Sequence, residues 1–288
     1  MWIVAAVLSA VFAGLTAVLS KCGVKNTNSD VATAIRTSVV LVFSWFIVLI
    51  TGALPAVGGI SARSMLFLIL SGLATGASWI FYFKALSVGE ASRVAAVDKS
   101  SVVLTVLFAL AAFPSERALW QVKLVCLAAI AVGTFLMCDL KKERAGTKAT
   151  WLIFALLSAV FAATTSVLAK IGVENVNSNV ATAVRTCVVF VMAWLIVIIR
   201  KETALVKNVG VREGAFLVLS GLATGASWLF YYYAIKNGQV SVVVPVDKLS
   251  IIITVIFSRI AFKEKLSPKS LSGLSLITVG TVCMAIFT

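Results

Sequence analysis

Nearly the whole chain is built of apolar runs long enough to cross a bilayer, and this leaves few folds open. With no water inside a membrane, every backbone N–H and C=O must be satisfied by protein, so only helices and closed barrels span it. A helix needs about 20 apolar residues to cross ~30 Å of hydrocarbon. Ten such runs are present, at roughly 2–20, 31–52, 65–84, 91–112, 118–138, 151–169, 180–199, 214–235, 240–261 and 270–287. A barrel would need shorter alternating strands, which this sequence lacks. Charged residues make up 12% of the chain, against about 25% in a soluble domain. An all-α membrane protein of ten transmembrane helices follows, with no sizeable soluble domain. Met1-Trp2-Ile3-Val4 lacks the basic region of a secretion signal and is read as the start of the first span.

The chain repeats itself. Trp2–Ile50 aligns without a gap on Trp151–Ile199, an offset of 149 residues, at about two-thirds identity. Leu8-Ser9-Ala10-Val11-Phe12-Ala13 returns as Leu157-Ser158-Ala159-Val160-Phe161-Ala162, and the nonapeptide Ser71–Trp79 returns unchanged as Ser220–Trp228. Near the end, Val132-Gly133-Thr134 matches Val279-Gly280-Thr281 only after a two-residue deletion. Two repeats are expected, 1–140 and 151–288, joined by a charged linker. Five spans per repeat is an odd number, so the repeats must be inverted relative to each other. That plan places a binding site at the repeat interface near the midplane.

Loop charge tests the topology. Of 25 Lys and Arg, Arg36, Lys99, Arg185 and Lys248 lie within spans. On one side of the membrane fall Arg63, Arg117, Lys123, Lys170 and Lys236; the remaining 16 fall on the other. The positive-inside rule makes the richer side cytoplasmic and puts both termini outside. This distribution accounts for the net charge of +14 without nucleic acid. The five cysteines have no metal-ligand spacing and are read as small apolar filler. The chain has no His, no nucleophile–base pair and no phosphate loop, so an enzyme is not expected, nor a cofactor or metal. The loop acids, Glu116 among them, are read as solvated or interfacial.

Two charged pairs interrupt the apolar runs at matching points, Asp98-Lys99 and Asp247-Lys248. An ionisable group inside a span costs about 3 kcal/mol or more unless it meets a partner or a wet cavity. Asp98 and Asp247 lie ~11 Å into their spans, and Arg36 and Arg185 ~8 Å into theirs, at ~1.5 Å per residue. Depth therefore permits Arg36–Asp98 and Arg185–Asp247 pairs, as ties or gates near opposite faces. Lys99 and Lys248 are left for a solute. On the third and eighth spans Thr75, Trp79 and Tyr82, with Thr224, Trp228 and Tyr231, fall on one helical face with Ser71, Ser78, Ser220 and Ser227. This face is expected to wall a cavity and contact the solute. Gly72-x-x-x-Gly76 and Gly221-x-x-x-Gly225 beside it are close-packing seams.

The repeated five-helix unit and its Gly-x-x-x-Gly third span are joined by two further motifs. These are the turns Gly89-Glu90-x-Ser92 and Gly238-Gln239-x-Ser241, and the stretch Phe262-Lys263-Glu264-Lys265-Leu266-Ser267. Together they resemble the EamA-type transporters of the drug/metabolite transporter superfamily, over nearly the whole chain. The resemblance implies secondary transport by alternating access in a cell (inner or plasma) membrane, with a small-molecule solute and the lipid bilayer as partners. Basic residues bind substrate on these spans in relatives carrying phosphorylated sugars, which implies an anionic or zwitterionic metabolite. The alternatives are a drug/metabolite exporter and a lipid flippase or scramblase for an anionic headgroup. Many ten-span members are described with cytoplasmic termini, the opposite of the charge count here. The chain also resembles small five-span members that act as pairs, here fused, so the plan needs no second copy.

Overall fold

The computed structural model describes residues 1–23, 27–88, 94, 97–137, 150–262 and 267–287. Every long regular element among them is an α-helix: α1 (Trp2–Gly23), α2 (Ser29–Ile50), α3 (Ala62–Val88), α4 (Ser101–Ala112), α5 (Trp120–Met137), α6 (Thr150–Val173), α7 (Ser178–Ile199), α8 (Val211–Asn237), α9 (Val240–Lys248), α10 (Ser250–Phe262) and α11 (Pro268–Phe287). Among the described residues nine stretches are long and apolar enough to cross a membrane, one of them, Val240–Phe257, running across the α9–α10 junction. The expected span at 91–112 lies partly outside the described residues, as do the Gly89-Glu90-x-Ser92 turn and most of 262–267.

The repeat is written into local structure. Asn28 caps α2 by accepting from the amides of Asp30 and Val31, and Asn177 caps α7 by accepting from those of Asn179 and Val180. These side chains satisfy amides that a helix start leaves without partners. Just past the ends of α2 and α7 the chain turns through a left-handed residue, Gly52 (φ 63°) and its repeat mate Lys201 (φ 58°).

Contacts divide the chain into two compact units. The first holds Met1–Leu73, Leu168–Gly238 and Ser250–Lys263; the second holds Ala74–Val167, Gln239–Leu249 and Glu264–Thr288. The units therefore differ from the sequence repeats, since each takes segments from both.

In the first unit α1 runs antiparallel along α8, with Ser9 opposite Ser227, Thr16 opposite Thr224 and Ser20 opposite Ser220. α2 runs antiparallel along its repeat mate α7. Trp45 Nε1 donates to Cys187 Sγ (3.4 Å) and, at the equivalent place, Trp194 Nε1 donates to Ser38 Oγ (3.0 Å). Cys187 is thus a hydrogen-bond acceptor as well as apolar filler. Further along this seam Arg200 pairs with the buried Asp30. Glycines set the closest approaches: a Cβ on Gly72 would lie 2.7 Å from Val188 Cβ, and one on Gly221 would lie 2.6 Å from Val39 Cβ. Val188 and Val39 are repeat mates, so the two seams are copies.

In the second unit α5 packs antiparallel on α11. A Cβ on Gly133 would meet Gly273 O at 2.6 Å, and one on Gly280 would meet Cys126 O at 2.9 Å. These contacts are reciprocal once the two-residue deletion is allowed for, as the alignment of Gly133 with Gly280 requires.

One expectation is corrected. Spans 91–112 and 240–261 are not continuous helices through their charged pairs. A turn at Ser100 precedes α4, and Leu249 separates α9 from α10. Ser100 N donates to Val97 O (3.1 Å) and Leu249 N to Val246 O (3.0 Å), tightened three-residue bonds in place of α-helical ones. The Ser100 hydroxyl donates to the same Val97 carbonyl. In the second repeat Pro245 has no N–H to donate to Ser241 O.

Candidate functional site

The breaks put both charged pairs at helix ends. In the second unit Asp98 is half-buried, and its Oδ1 accepts from Ser158 Oγ of α6 at 2.7 Å. Ser78 Oγ of α3 donates to Ser158 O at 3.1 Å and lies 3.2 Å from Ser158 Oγ. One turn away Thr75 and Thr165 hydroxyls are 3.3 Å apart. Lys99 and Lys248 are both exposed, and the charges of both reach Asp98. Depth alone had set the two pairs near opposite faces, yet Asp98 and Lys248 meet electrostatically. Two points ~11 Å deep from opposite faces of a ~30 Å core are only ~8 Å apart in depth. Tyr82 is half-buried in an apolar cluster with Ala85, Val94, Val97, Trp151, Phe154 and Ala155, and Trp79 is half-buried one turn earlier.

In the first unit the corresponding hydroxyls join α1 to α8: Ser9–Ser227 at 3.2 Å, Thr16–Thr224 at 3.3 Å and Ser20–Ser220 at 2.7 Å. Thr75, Thr224 and the serines beside them, expected on a cavity wall, are buried with these hydroxyl contacts between helices. Apolar packing between helices gains little over lipid contact, so paired hydroxyls serve as glue, at about 0.6 kcal/mol each. Ser9, Thr16, Ser158 and Thr165 stand in the conserved-by-repeat stretches of the first and sixth spans. Their matching positions facing Ser227, Thr224, Ser78 and Thr75 were the available signal.

The two arginines sit differently. Arg185 is buried, with Cζ 4.7 Å over the Trp228 ring and 5.5 Å over the Tyr232 ring, and its Nε donates to Ser71 Oγ at 3.3 Å. Tyr231 is half-buried, its ring 6.1 Å from that of Tyr232. Arg36 Nη2 donates to Thr224 Oγ1 at 3.4 Å, while its buried Nε has no partner among the described residues. Arg36 and Asp98 belong to different units, as do Arg185 and Asp247.

A second polar cluster was missed. Glu116, read as a solvated loop acid, is 2% exposed, and Lys123, counted as a loop cation, is 0% exposed. Glu116 Oε1 accepts from Val240 N (2.7 Å) and Oε2 from Ser241 N (2.8 Å). Lys123 Nζ donates to Glu116 O (2.8 Å), to Ser241 Oγ (3.0 Å) and to Gln239 Oε1. Val242 N and Val243 N donate to Gln239 O, so all four leading amides of α9 are accounted for. The half-helix that ends in Asp247-Lys248 is therefore fastened at its start.

Two copies of the EamA-like transporter family model match this chain, at residues 1–138 and 149–286. The chain belongs to that family. With it comes membership of the drug/metabolite transporter superfamily. An uncharacterized transporter in the cobO 3′ region of Sinorhizobium sp is 43% identical over 138 residues, which is 48% of this EamA-family chain and 98% of the relative. An uncharacterized protein of Methanocaldococcus jannaschii is 26% identical over 137 residues, 48% of the chain and 97% of the relative. Each relative is thus about one repeat long. A solved crystal structure superposes with a TM-score of 0.82 at 18% identity, covering 98% of this chain and 96% of its own, which shows a shared fold. Family and helices together make this a multi-pass membrane transporter handling a small-molecule solute.

Proposed function

We propose that this EamA-family chain is a secondary transporter that moves a small anionic or zwitterionic metabolite by alternating access, through two inverted five-helix repeats. One observation carries the reading: in both repeats the helix breaks directly after an Asp-Lys pair, and the two lysines are exposed around Asp98. A broken helix beside buried charge is how transporters present backbone and side-chain groups to a solute at membrane depth. Lys99 and Lys248 contact the solute, with Trp79 and Tyr82 of the same unit and Thr75 behind these rings.

Inversion is supported by mated helices that run antiparallel, α2 against α7 and α5 against α11. A parallel repeat would give mated helices one direction. The loop charges support termini outside the cell membrane.

Uptake into proteoliposomes tests the function against amino acids, sugar phosphates, nucleosides, cationic drugs and labelled lipid. Uptake of an anionic or zwitterionic solute is expected, and Lys248→Gln should abolish it while folded yield is kept. Movement of labelled lipid alone would replace the transporter reading with a flippase.

A further inference from the structure

Arg36 and Arg185 hold the same place in the two repeats, 149 residues apart, yet their surroundings have diverged. Arg185 is committed to protein: Trp228 and Tyr232 stack on its guanidinium and Ser71 accepts from its Nε. The acceptor equivalent to Ser71 is drawn away from Arg36. The mate of Ser71 is Ser220, and Ser220 is taken up on α1. Its hydroxyl is 2.7 Å from Ser20 Oγ and donates to Thr16 O at 3.3 Å. The residue equivalent to Ser20 in the other repeat is Ala169, which cannot compete for Ser71 in that way.

What Arg36 retains is one long bond to Thr224 and a buried Nε with no partner among the described residues. Thr224 donates its own proton to Ser220 O at 2.7 Å, so its oxygen is an acceptor toward Arg36. A guanidinium with a buried, unfilled Nε–H beside a weakly held Nη2 suits an oxyanion, which it can grip through two parallel N–H···O bonds.

We propose that Arg36 is an anion hook: its guanidinium binds a carboxylate or phosphate oxygen of the transported solute. This rests on the reading of that solute as anionic or zwitterionic, and it makes recognition asymmetric, one hook per chain. The divergence at Ser20 sets it up, since Ser20 holds the serine that would otherwise serve Arg36.

Thermal unfolding of the purified full chain in detergent tests the hook, with inorganic phosphate or acetate titrated against chloride at equal ionic strength. One or both anions should raise the unfolding temperature of the wild type. A response to phosphate alone assigns a phosphate ester, and a response to acetate alone assigns a carboxylate. Arg36→Gln should raise the midpoint concentration about 10- to 100-fold, as expected for loss of charge-assisted bonds. Ser20→Ala should raise it about 3- to 10-fold, because Ser220 becomes an internal acceptor for Arg36. If Arg36→Gln does not fold, Ser20→Ala decides alone, and an unchanged midpoint overturns the hook. An unchanged midpoint in a folded Arg36→Gln also overturns it, and leaves anion binding to Lys99 and Lys248. No response of the wild type to either anion overturns both the hook and the anionic reading.

Discussion

Glu116→Gln should loosen the half-helix that carries Asp247-Lys248 without touching the charged pair. Each carboxylate oxygen accepts from one amide, Val240 N at 2.7 Å and Ser241 N at 2.8 Å, in a site that is 2% exposed. Hydrogen bonds to a charged acceptor contribute about 1.5–3 kcal/mol each, and a carboxylate at a helix N-terminus also meets the positive end of the dipole. Glutamine keeps one acceptor and sets an N–H₂ against the other amide, so one bond is lost and one donor is stranded. A cost of about 2 kcal/mol follows. Glu116→Ala loses both bonds and leaves Lys123 without its nearest opposite charge, for about 4 kcal/mol. Hydrogen exchange of the full chain in detergent reads the effect at the amides themselves. At 2 kcal/mol, protection of Val240 and Ser241 should fall about 30-fold. Protection at α11 amides, outside this network, should fall less. Wild-type protection at Val240 and Ser241 in Glu116→Gln would refute the view that the carboxylate fastens α9. An equal fall everywhere would mean that Glu116 supports the whole fold and no particular half-helix.

Three further outcomes follow from geometry. Gly133→Ala puts a methyl 2.6 Å from Gly273 O and 2.9 Å from Ile277 N, both backbone, so α5 and α11 must part; a loss of about 2 kcal/mol is expected in reversible denaturation in mixed micelles. Lys201→Gly should stabilise by about 1 kcal/mol in the same assay, since Lys201 sits at φ 58° where its mate is glycine. Gly52→Ala should cost a similar amount by strain alone, because an added methyl there meets nothing within 4 Å. A reporter fused to the C-terminus should report an outside location; a cytoplasmic signal would reverse the topology and exchange the two gates.

Much of the architecture was legible. Length fixed the helices, because in apolar runs nothing else discriminates, and the 149-residue offset fixed which helices are mates. Even the two-residue slip before Gly280 reappears as the register of the α5–α11 seam. The helix breaks were harder to see. Ser100 and Leu249 are ordinary helix residues, and nothing in the sequence beside them marks the tightened bonds. The Glu116 cap escaped because a charged residue beside a span reads as solvated by default. The amides that open α9 need an acceptor, but the repeat does not single out Glu116 for them, since its mate at the 149-residue offset is Lys265. The Asp30–Arg200 pair left no repeat signature, since its mates are Asn179 and Thr51.

That last pair shows what fusion of two repeats allows. The half-length relatives match one repeat each. If two identical five-helix chains pair in inverted fashion, every residue is used twice, once near each face, and no single-copy contact can fix which face is which. This chain has charged, hydroxyl and proline positions that differ between the halves. Asp30–Arg200 exists once. Lys84 and Arg93 in one half stand against Tyr233 and Val242 in the other, the shift of basic charge that the proposed inversion would require. Pro245 stands against Ala96. Ser20 stands against Ala169, leaving one arginine engaged and the other open. The shared residues, hydroxyl seams and close-packing glycines, hold helices together and tolerate symmetry. On the proposed function, the residues that differ set orientation and the chemistry offered to a solute, and Arg36 is the arginine that meets it.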